Sequence, residues 1–270
     1  MNNMRVGFIG LGDIGTPMAR RILDAGYQVA SSANRRREAI DTLKASGLIE
    51  ASNPCEVAHQ SDILITMVID ERQSDTVLKG PQGALAGLAP GSVVVVMSTV
   101  SPGYCQALAR EAAAAGIVVL DCPVAGGPPR ATEGSLTLIC GGDPEVVEKC
   151  RPVLETMGKI SHCGPVGMGQ VVKLGNNVLV AGQFALIREV RQLAAAYGMD
   201  LVMLMDVIGR STGACWVAEN WGYIEPRWNH MGVMSRKDVE LCGAAAKAIE
   251  FTLPMIEATR RVAADWGPRT

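Results

Sequence analysis

Aromatic side chains are scarce in this 270-residue chain: three Phe, four Tyr and four Trp, or 4% of the sequence. Hydrophobic residues nevertheless reach 48%, so the core must be aliphatic, built from Ala, Val, Leu, Ile and Met. An excess of one charge sign is also lacking. Lys and Arg number 25 against 27 Asp and Glu, a net charge of −2. That balance argues against a nucleic-acid binder and against a polybasic membrane-surface protein, and leaves a small molecule as the expected partner. The eight cysteines include no C-x-x-C pair and stand at no ligand-like spacing from the three histidines. Neither a disulfide scaffold nor a bound metal is expected, and reduced thiols in a cytoplasm fit better.

One stretch, 160–187, is long and apolar enough to suggest a membrane span, but Gln170, Lys173, Asn176, Asn177 and Gln183 lie inside it. A charge at the centre of such a span costs about 2.5–3.5 kcal/mol on insertion. The stretch therefore reads as a buried helix of a soluble protein. Lys173 is its single formal charge, with Asn176 and Asn177 following at offsets of three and four. On a helix those offsets put both amides on the face of the lysine. Apolar surroundings are expected to lower the lysine's pKa toward a value useful for proton transfer.

What the chain does have is alternation. Over the first 160 residues, β-branched runs at 5–9, 28–31, 63–68, 93–97, 118–121 and 136–140 are separated by helix-like stretches such as 17–25, 38–46, 106–115 and 145–157. This pattern predicts a doubly wound α/β domain with a parallel sheet. Beyond it strand signals stop. Helices are predicted at 169–197, 200–209 and 236–264, the last bent or broken at Pro254. The reading is two domains, a parallel-sheet α/β domain over 1–163 and an all-helical domain over 164–270. The long apolar helix at their junction suggests burial against a second subunit, although an intrachain core explains it equally well.

The first strand runs into Gly10-Leu11-Gly12-Asp13-Ile14-Gly15, a G-x-G-x-x-G followed by an amphipathic helix. The first glycine permits the turn, the second lets backbone approach a pyrophosphate, and the third lets helix and strand pack closely. Helix-terminal N–H groups would then face the phosphates. An NAD site usually carries Asp or Glu at the end of the second strand, on the ribose 2′-OH. Here no carboxylate occurs between Asp24 and Glu38, while Asn34, Arg35, Arg36 and Arg37 cluster there. A guanidinium suits a 2′-phosphate, so NADP is the expected cofactor, with NAD possible. At least one of these arginines is expected simply to begin a solvated helix.

Four segments, GFIGLGDIG, DCPVAGGPPRATEGSLTLICGG, GPVGMGQVVKLGNN and SRKDVELC, together resemble the β-hydroxyacid dehydrogenase family of 3-hydroxyisobutyrate dehydrogenases and tartronate semialdehyde reductases. In order and spacing they cover nearly the whole chain. The resemblance implies a Rossmann domain, a helical domain like that of 6-phosphogluconate dehydrogenase, nicotinamide-dependent alcohol/aldehyde chemistry, and a homodimer or homotetramer. It further implies that Lys173 is the general acid/base, that Asn177 orients it, and that Asn176 lies in the substrate site. The backbone of Gly126 and Gly127, with Ala125, would hold the substrate carboxylate. Met67 and Val68 would flank the dinucleotide, Thr99 would lie against the nicotinamide ribose, and Lys237 would close over the cofactor or the anionic end of the substrate. Asp238 reads as a helix-end carboxylate, and Gly175 as a point of close backbone or ligand approach.

Three features depart from the family pattern. Ala125 stands where a serine hydroxyl usually helps hold the carboxylate, so another donor such as Arg130 or Asn176 would have to replace it, or the pocket accepts a less polar group. No Pro-Gly-Phe segment precedes Lys237-Asp238; instead Trp216, Trp221, Trp228 and His230 fall there, to shape a pocket or simply to pack. The tail after Trp266 also stops early. The leading expectation is an NADP-preferring reductase of a small aldehyde or keto acid, reversible on the hydroxy acid or alcohol. The alternatives are an imine reductase on the same architecture and a non-catalytic dinucleotide-binding module.

Overall fold

A computed structural model describes residues 4–33 and 37–267. They divide into two compact units, 1–173 and 174–270. The sequence-based boundary at 163/164 lies before this division, which falls inside one long helix.

The first unit begins β1 (Arg5–Ile9), α1 (Gly15–Asp24), β2 (Gln28–Ser32), α2 (Glu38–Lys44), β3 (Ile49–Ala51) and α3 (Pro54–His59). It continues with β4 (Ile63–Thr66), α4 (Glu71–Leu78), β5 (Val93–Val96), α5 (Pro102–Ala113) and β6 (Val118–Asp121). These six strands form one parallel sheet in the order β3-β2-β1-β4-β5-β6. Its central strands ILIT and VVVV are buried along their whole length, as expected when helices cover both faces. Aliphatic cores lie on each side. Phe8, Met18, Ile22, Ile63 and Val95 belong to one, and Ile9, Val57, Leu64, Val94 and Leu108 to the other. Each buried side chain of this size contributes about 1.5–3 kcal/mol.

Next come β7 (Val124–Ala125), α6 (Gly127–Glu133), β8 (Leu136–Cys140), α7 (Pro144–Leu154) and β9 (Gly158–His162). The 136–140 strand therefore lies in a second sheet, ordered β7-β8-β9, with β7 antiparallel and β9 parallel to β8. A bridge between Asp121 and Gly141 joins it to the end of β6. Asn53, Asp70, Ser101 and Asp143 cap α3, α4, α5 and α7 by accepting first-turn N–H groups, each worth about 1 kcal/mol.

Helix α8 (Met168–Ala196) crosses the division between the units. The second unit then contains α9 (Leu201–Gly209), α10 (Trp216–Glu219), α11 (Trp221–Ile224), α12 (Trp228–Ala248) and α13 (Pro254–Ala263). The helix expected over 236–264 is broken ahead of Pro254, as anticipated, but its first part begins earlier, at Trp228, after a short 3₁₀ turn at Glu225–Arg227. Proline starts α13 rather than bending it, since its missing N–H has no intrahelical partner at that position.

The tryptophans organise this unit. Trp228 packs edge-on to Phe184 (centroids 5.4 Å apart) and Trp266 (5.3 Å), and Trp221 lies 6.5 Å from Trp228. Arg188 and Arg191 stack on Trp228 and Trp221 at 4.4 and 4.9 Å, a cation–π contact. Trp221 and Trp228 therefore pack in this unit's core, whereas Trp216 and His230 are exposed. Trp266 is itself buried in that core. Among the described residues no helix is long and apolar enough to cross a membrane.

Candidate active site

The strand order reverses between β1 and β4, and the loops leaving these two strands meet at that point, where ligands bind in open α/β sheets. The glycine run leaves β1 there. Gly10 has φ +107°, and a Cβ on it would lie 2.2 Å from the carbonyl oxygen of Met67. A Cβ on Gly15 would lie 2.0 Å from the carbonyl oxygen of Gly10. Both glycines are thus required by the protein's own packing. Gly12 differs, because a Cβ there would meet no protein atom within 4 Å. Protein packing leaves its side-chain position open while α1 begins three residues later. This arrangement fits a pyrophosphate resting on the helix N-terminus. Leu11 and Ile14 pack toward the core and Asp13 is exposed.

The loops after β4 and β5 are cross-tied. Met67 N–H donates to the Ile9 carbonyl (2.8 Å), Val68 N–H to Ser98 Oγ (2.8 Å), and Ser101 N–H to Glu71 Oε1 (2.7 Å). Thr99, half-buried, sits between buried Ser98 and Val100. The glycine loop, Met67, Val68 and Thr99 thus all leave the C-terminal edge of one parallel sheet. At the end of β2, Ser31 is buried, and its hydroxyl has no hydrogen-bond partner among the described residues. Asn34, Arg35 and Arg36 lie outside the described residues. Arg37 is engaged in a surface ion-pair set, 2.9 Å from Glu50 and 3.6 Å from Asp41. It stands at the start of α2.

Ala125 pairs with Thr137 across the second sheet. Gly126 follows with φ +132° and Gly127 with φ +70°. A Cβ on Gly126 would lie 2.6 Å from Cδ of Arg130, whose stem therefore folds over this turn.

Asp121 was not singled out by sequence. Fully buried at the end of β6, its carboxylate accepts the N–H groups of Gly167 (2.6 Å) and Gln170 (2.8 Å). Burial pushes this carboxyl up, and the backbone donors pull it part of the way back. Gln170, also fully buried, donates from Nε2 to the Ser98 carbonyl (2.9 Å) and accepts at Oε1 from Val100 N–H (3.2 Å). Lys173, half-buried, follows Gln170 by three residues on the same helix.

In the second unit, Asn176 Nδ2 donates to Asn177 Oδ1 (3.0 Å) and Asn177 Nδ2 to Asp238 Oδ2 (2.7 Å). Lys237 Nζ lies 3.2 Å from the other oxygen of Asp238. Asp238 is therefore no helix-end carboxylate. It is a buried residue in the middle of α12, bound to the amide expected to orient the lysine. Gly175 makes no close approach to protein, because a Cβ there would have no neighbour within 4 Å. Among the described residues, no three His, Cys, Asp or Glu side chains group to hold a metal.

Comparison with known proteins bears on this arrangement. Residues 5–182 match the family described as the NAD binding domain of 6-phosphogluconate dehydrogenase. Residues 167–266 match that described as NAD-binding of NADP-dependent 3-hydroxyisobutyrate dehydrogenase. The chain is 34% identical to the NAD-dependent L-serine dehydrogenase of Pseudomonas aeruginosa, over 93% of this chain and 88% of that one. The solved 3-hydroxyisobutyrate dehydrogenase of Mycobacterium tuberculosis with L-serine superimposes with TM-score 0.83 at 29% identity, covering 97% and 92% of the two chains. An imine reductase from Myxococcus stipitatus with NADP+ shares the fold alone, at TM-score 0.69 and 20% identity over 97% and 93%. With the glycine loop at the switch point and family matches that together run from residue 5 to 266, the chain belongs to the β-hydroxyacid dehydrogenase family and is an NAD(P)-dependent dehydrogenase.

Proposed function

We propose that this enzyme interconverts a small aldehyde or keto acid and its hydroxy acid or alcohol, preferring NADP, with Lys173 as general acid/base. The observation that carries the reading is the retained set Lys173, Asn176 and Asn177, one helical turn long, with Asn177 bonded to buried Asp238. The relatives named for L-serine and 3-hydroxyisobutyrate both act on short acids bearing a hydroxyl, which supports the same substrate class here.

The nicotinamide group, when bound, supplies or accepts the hydride. Gly10, Leu11, Gly12, Asp13, Ile14 and Gly15 would hold the pyrophosphate, Asn34, Arg35 and Arg36 the 2′-phosphate, and Met67, Val68, Thr99 and Lys237 the remainder. Reducing a carbonyl leaves negative charge on its oxygen, and the Lys173 ammonium delivers the proton there. In the reverse direction the neutral amine removes it from the hydroxyl. Asn177, whose own orientation is set by Asp238, directs the lysine, while Asn176 and the backbone N–H groups of Gly126 and Gly127 take the carboxylate. Other candidate acids are poorly suited. Burial, then a hydrogen bond to Asp75, pushes Tyr104 far up. A bond to Cys140, with burial, does the same to the Cys122 thiol.

Ala125 favours one second reading. Without the hydroxyl at this position the carboxylate anchor is weaker, and an uncharged carbonyl or an imine becomes the competing substrate. The test is oxidation of NADPH and NADH in parallel against short aldehydes, each paired with an uncharged analogue and with a cyclic imine. Turnover confined to carboxylated aldehydes supports the hydroxyacid reading; turnover confined to the others replaces it.

Exposed Leu179, Leu186 and Leu193 form a stripe at seven-residue steps along α8, Tyr197 is exposed just past its end, and Val202 is exposed on α9. This stripe supports a homo-oligomer, and a monomeric mass in solution scattering would end that reading. Eight free thiols support a reducing compartment such as the cytoplasm.

A further inference from the structure

We propose that Gln170 is a positioning residue that fixes the peptide of Thr99 against the helical turn carrying Lys173. The inference rests on the reading of Lys173 and Thr99 given under Proposed function.

Gln170 is a neutral amide with no solvent exposure, and each of its polar groups is used. Its backbone N–H is held by Asp121 Oδ2 at 2.8 Å. Its side chain donates to the carbonyl of Ser98 at 2.9 Å and accepts from the N–H of Val100 at 3.2 Å. The two peptide groups that flank Thr99 are therefore both bonded to one side chain, as a neighbouring strand would bond them. Near neutral pH a carboxamide offers a donor and an acceptor side by side in this way, whereas an ionised carboxylate only accepts, and asparagine is one methylene shorter.

The loop that receives this amide has further ties. Ser98 Oγ accepts from Val68 N–H (2.8 Å), and Glu71 accepts from Ser101 N–H (2.7 Å). Asp121 anchors the start of α8 through Gly167 as well. The residues on either side of Thr99 are thus held to the loop after β4 and, through Gln170, to the helix of the lysine. Lys173 lies three residues on, the spacing that places two side chains on one helix face. Proton and hydride must reach a single carbonyl in register, so a shift between Thr99 and Lys173 would act on the rate more than on affinity.

Two variants separate positioning from mere structural support. Gln170→Met keeps the length and removes both bonds. Gln170→Glu keeps the acceptor for Val100 and loses the donor to Ser98 when ionised, but regains a donor when protonated. In enzyme active on a carboxylated aldehyde, Gln170→Met is expected to lower kcat about 10- to 100-fold, the scale of a misplacement near 1 Å, with KM changed less than about threefold. Gln170→Glu, taken as a ratio to wild type at each pH, is expected to recover as pH falls and its carboxyl protonates. A purely structural role would lower the melting temperature, leave kcat per folded molecule unchanged, and give a Gln170→Glu ratio flat with pH. That result overturns the proposal.

A second readout needs no turnover. Fluorescence of bound reduced cofactor reports the nicotinamide environment. Altered emission in Gln170→Met at near-wild-type affinity supports the proposal, and wild-type emission sinks it. If wild type fails on every carbonyl while the emission still changes, the substrate reading falls and the positioning role stands.

Discussion

Asn177 on α8 and Asp238 on α12 are joined by a 2.7 Å hydrogen bond between residues 61 apart in sequence, and the carboxylate is almost fully buried. Its other oxygen faces the Lys237 ammonium at 3.2 Å. One buried carboxylate therefore serves both an amide and a cation that the family resemblance places in the active site.

Asp238→Ala removes the acceptor and leaves the Asn177 amide without this partner. A loss of about 1–3 kcal/mol is expected from such a buried deletion, read by urea unfolding, together with a lower kcat. Asp238→Asn should fall between, since an amide can still accept from Asn177 but carries no charge for Lys237. If Asp238→Ala has wild-type kcat per folded molecule, Asp238 has no part in orienting Asn177.

The glycine loop makes a second prediction, because two glycines in one motif answer to different constraints. Gly10→Ala meets the Met67 carbonyl and a positive φ, so it should destabilise the protein without cofactor by about 1–3 kcal/mol. Gly12→Ala meets no protein atom. Its melting temperature should match wild type, while NADPH affinity drops at least about tenfold, the equivalent of 1.4 kcal/mol. Equal cofactor affinity in Gly12→Ala would remove the phosphate from this turn.

Asp121 supplies a pH dependence. Burial raises its carboxyl above the ordinary 3.8, so the folded state holds this proton more tightly than the unfolded one. The stabilisation is therefore complete below about 3.8 and is lost as pH rises through the folded value. Asp121→Asn removes that titration and one acceptor for the Gly167 or Gln170 N–H, costing about 1–3 kcal/mol. The variant should be less stable throughout. Its deficit should be largest at acid pH and narrow as the pH rises, as followed by denaturant melts. A deficit that grows with pH would show a carboxyl lowered, not raised.

At position 125 the prediction is a gain. Ala125→Ser returns a hydroxyl to the strand end before Gly126. One added hydrogen bond to a charged group is worth about 1.5–3 kcal/mol, so kcat/KM for carboxylated aldehydes should rise roughly tenfold or more, and that for uncharged analogues should not. A uniform change across both sets would separate Ala125 from the carboxylate.

Much of this was legible in the sequence. β1, β6 and β8 fall on 5–9, 118–121 and 136–140, where the β-branched runs predict them, and α8 begins within a residue of its expected start. What was not legible is short or tertiary. β3, β7 and α6 have three, two and seven residues, too few for a period to register. Asp238 was misassigned for a local reason. With a helix expected to begin at 236, Asp238 falls in its first turn, whereas the helix begins at Trp228. Gln170 and Asp121 find partners 46 to 72 residues away, and no sequence pattern announces such bonds.

The central claim is that Lys173 moves the proton. Its most direct test is chemical rescue of Lys173→Ala by exogenous primary amines. The account predicts a loss of about 10²- to 10⁴-fold in kcat/KM, cofactor affinity close to wild type, and partial recovery that rises with amine concentration. Wild-type turnover in Lys173→Ala without added amine would contradict it.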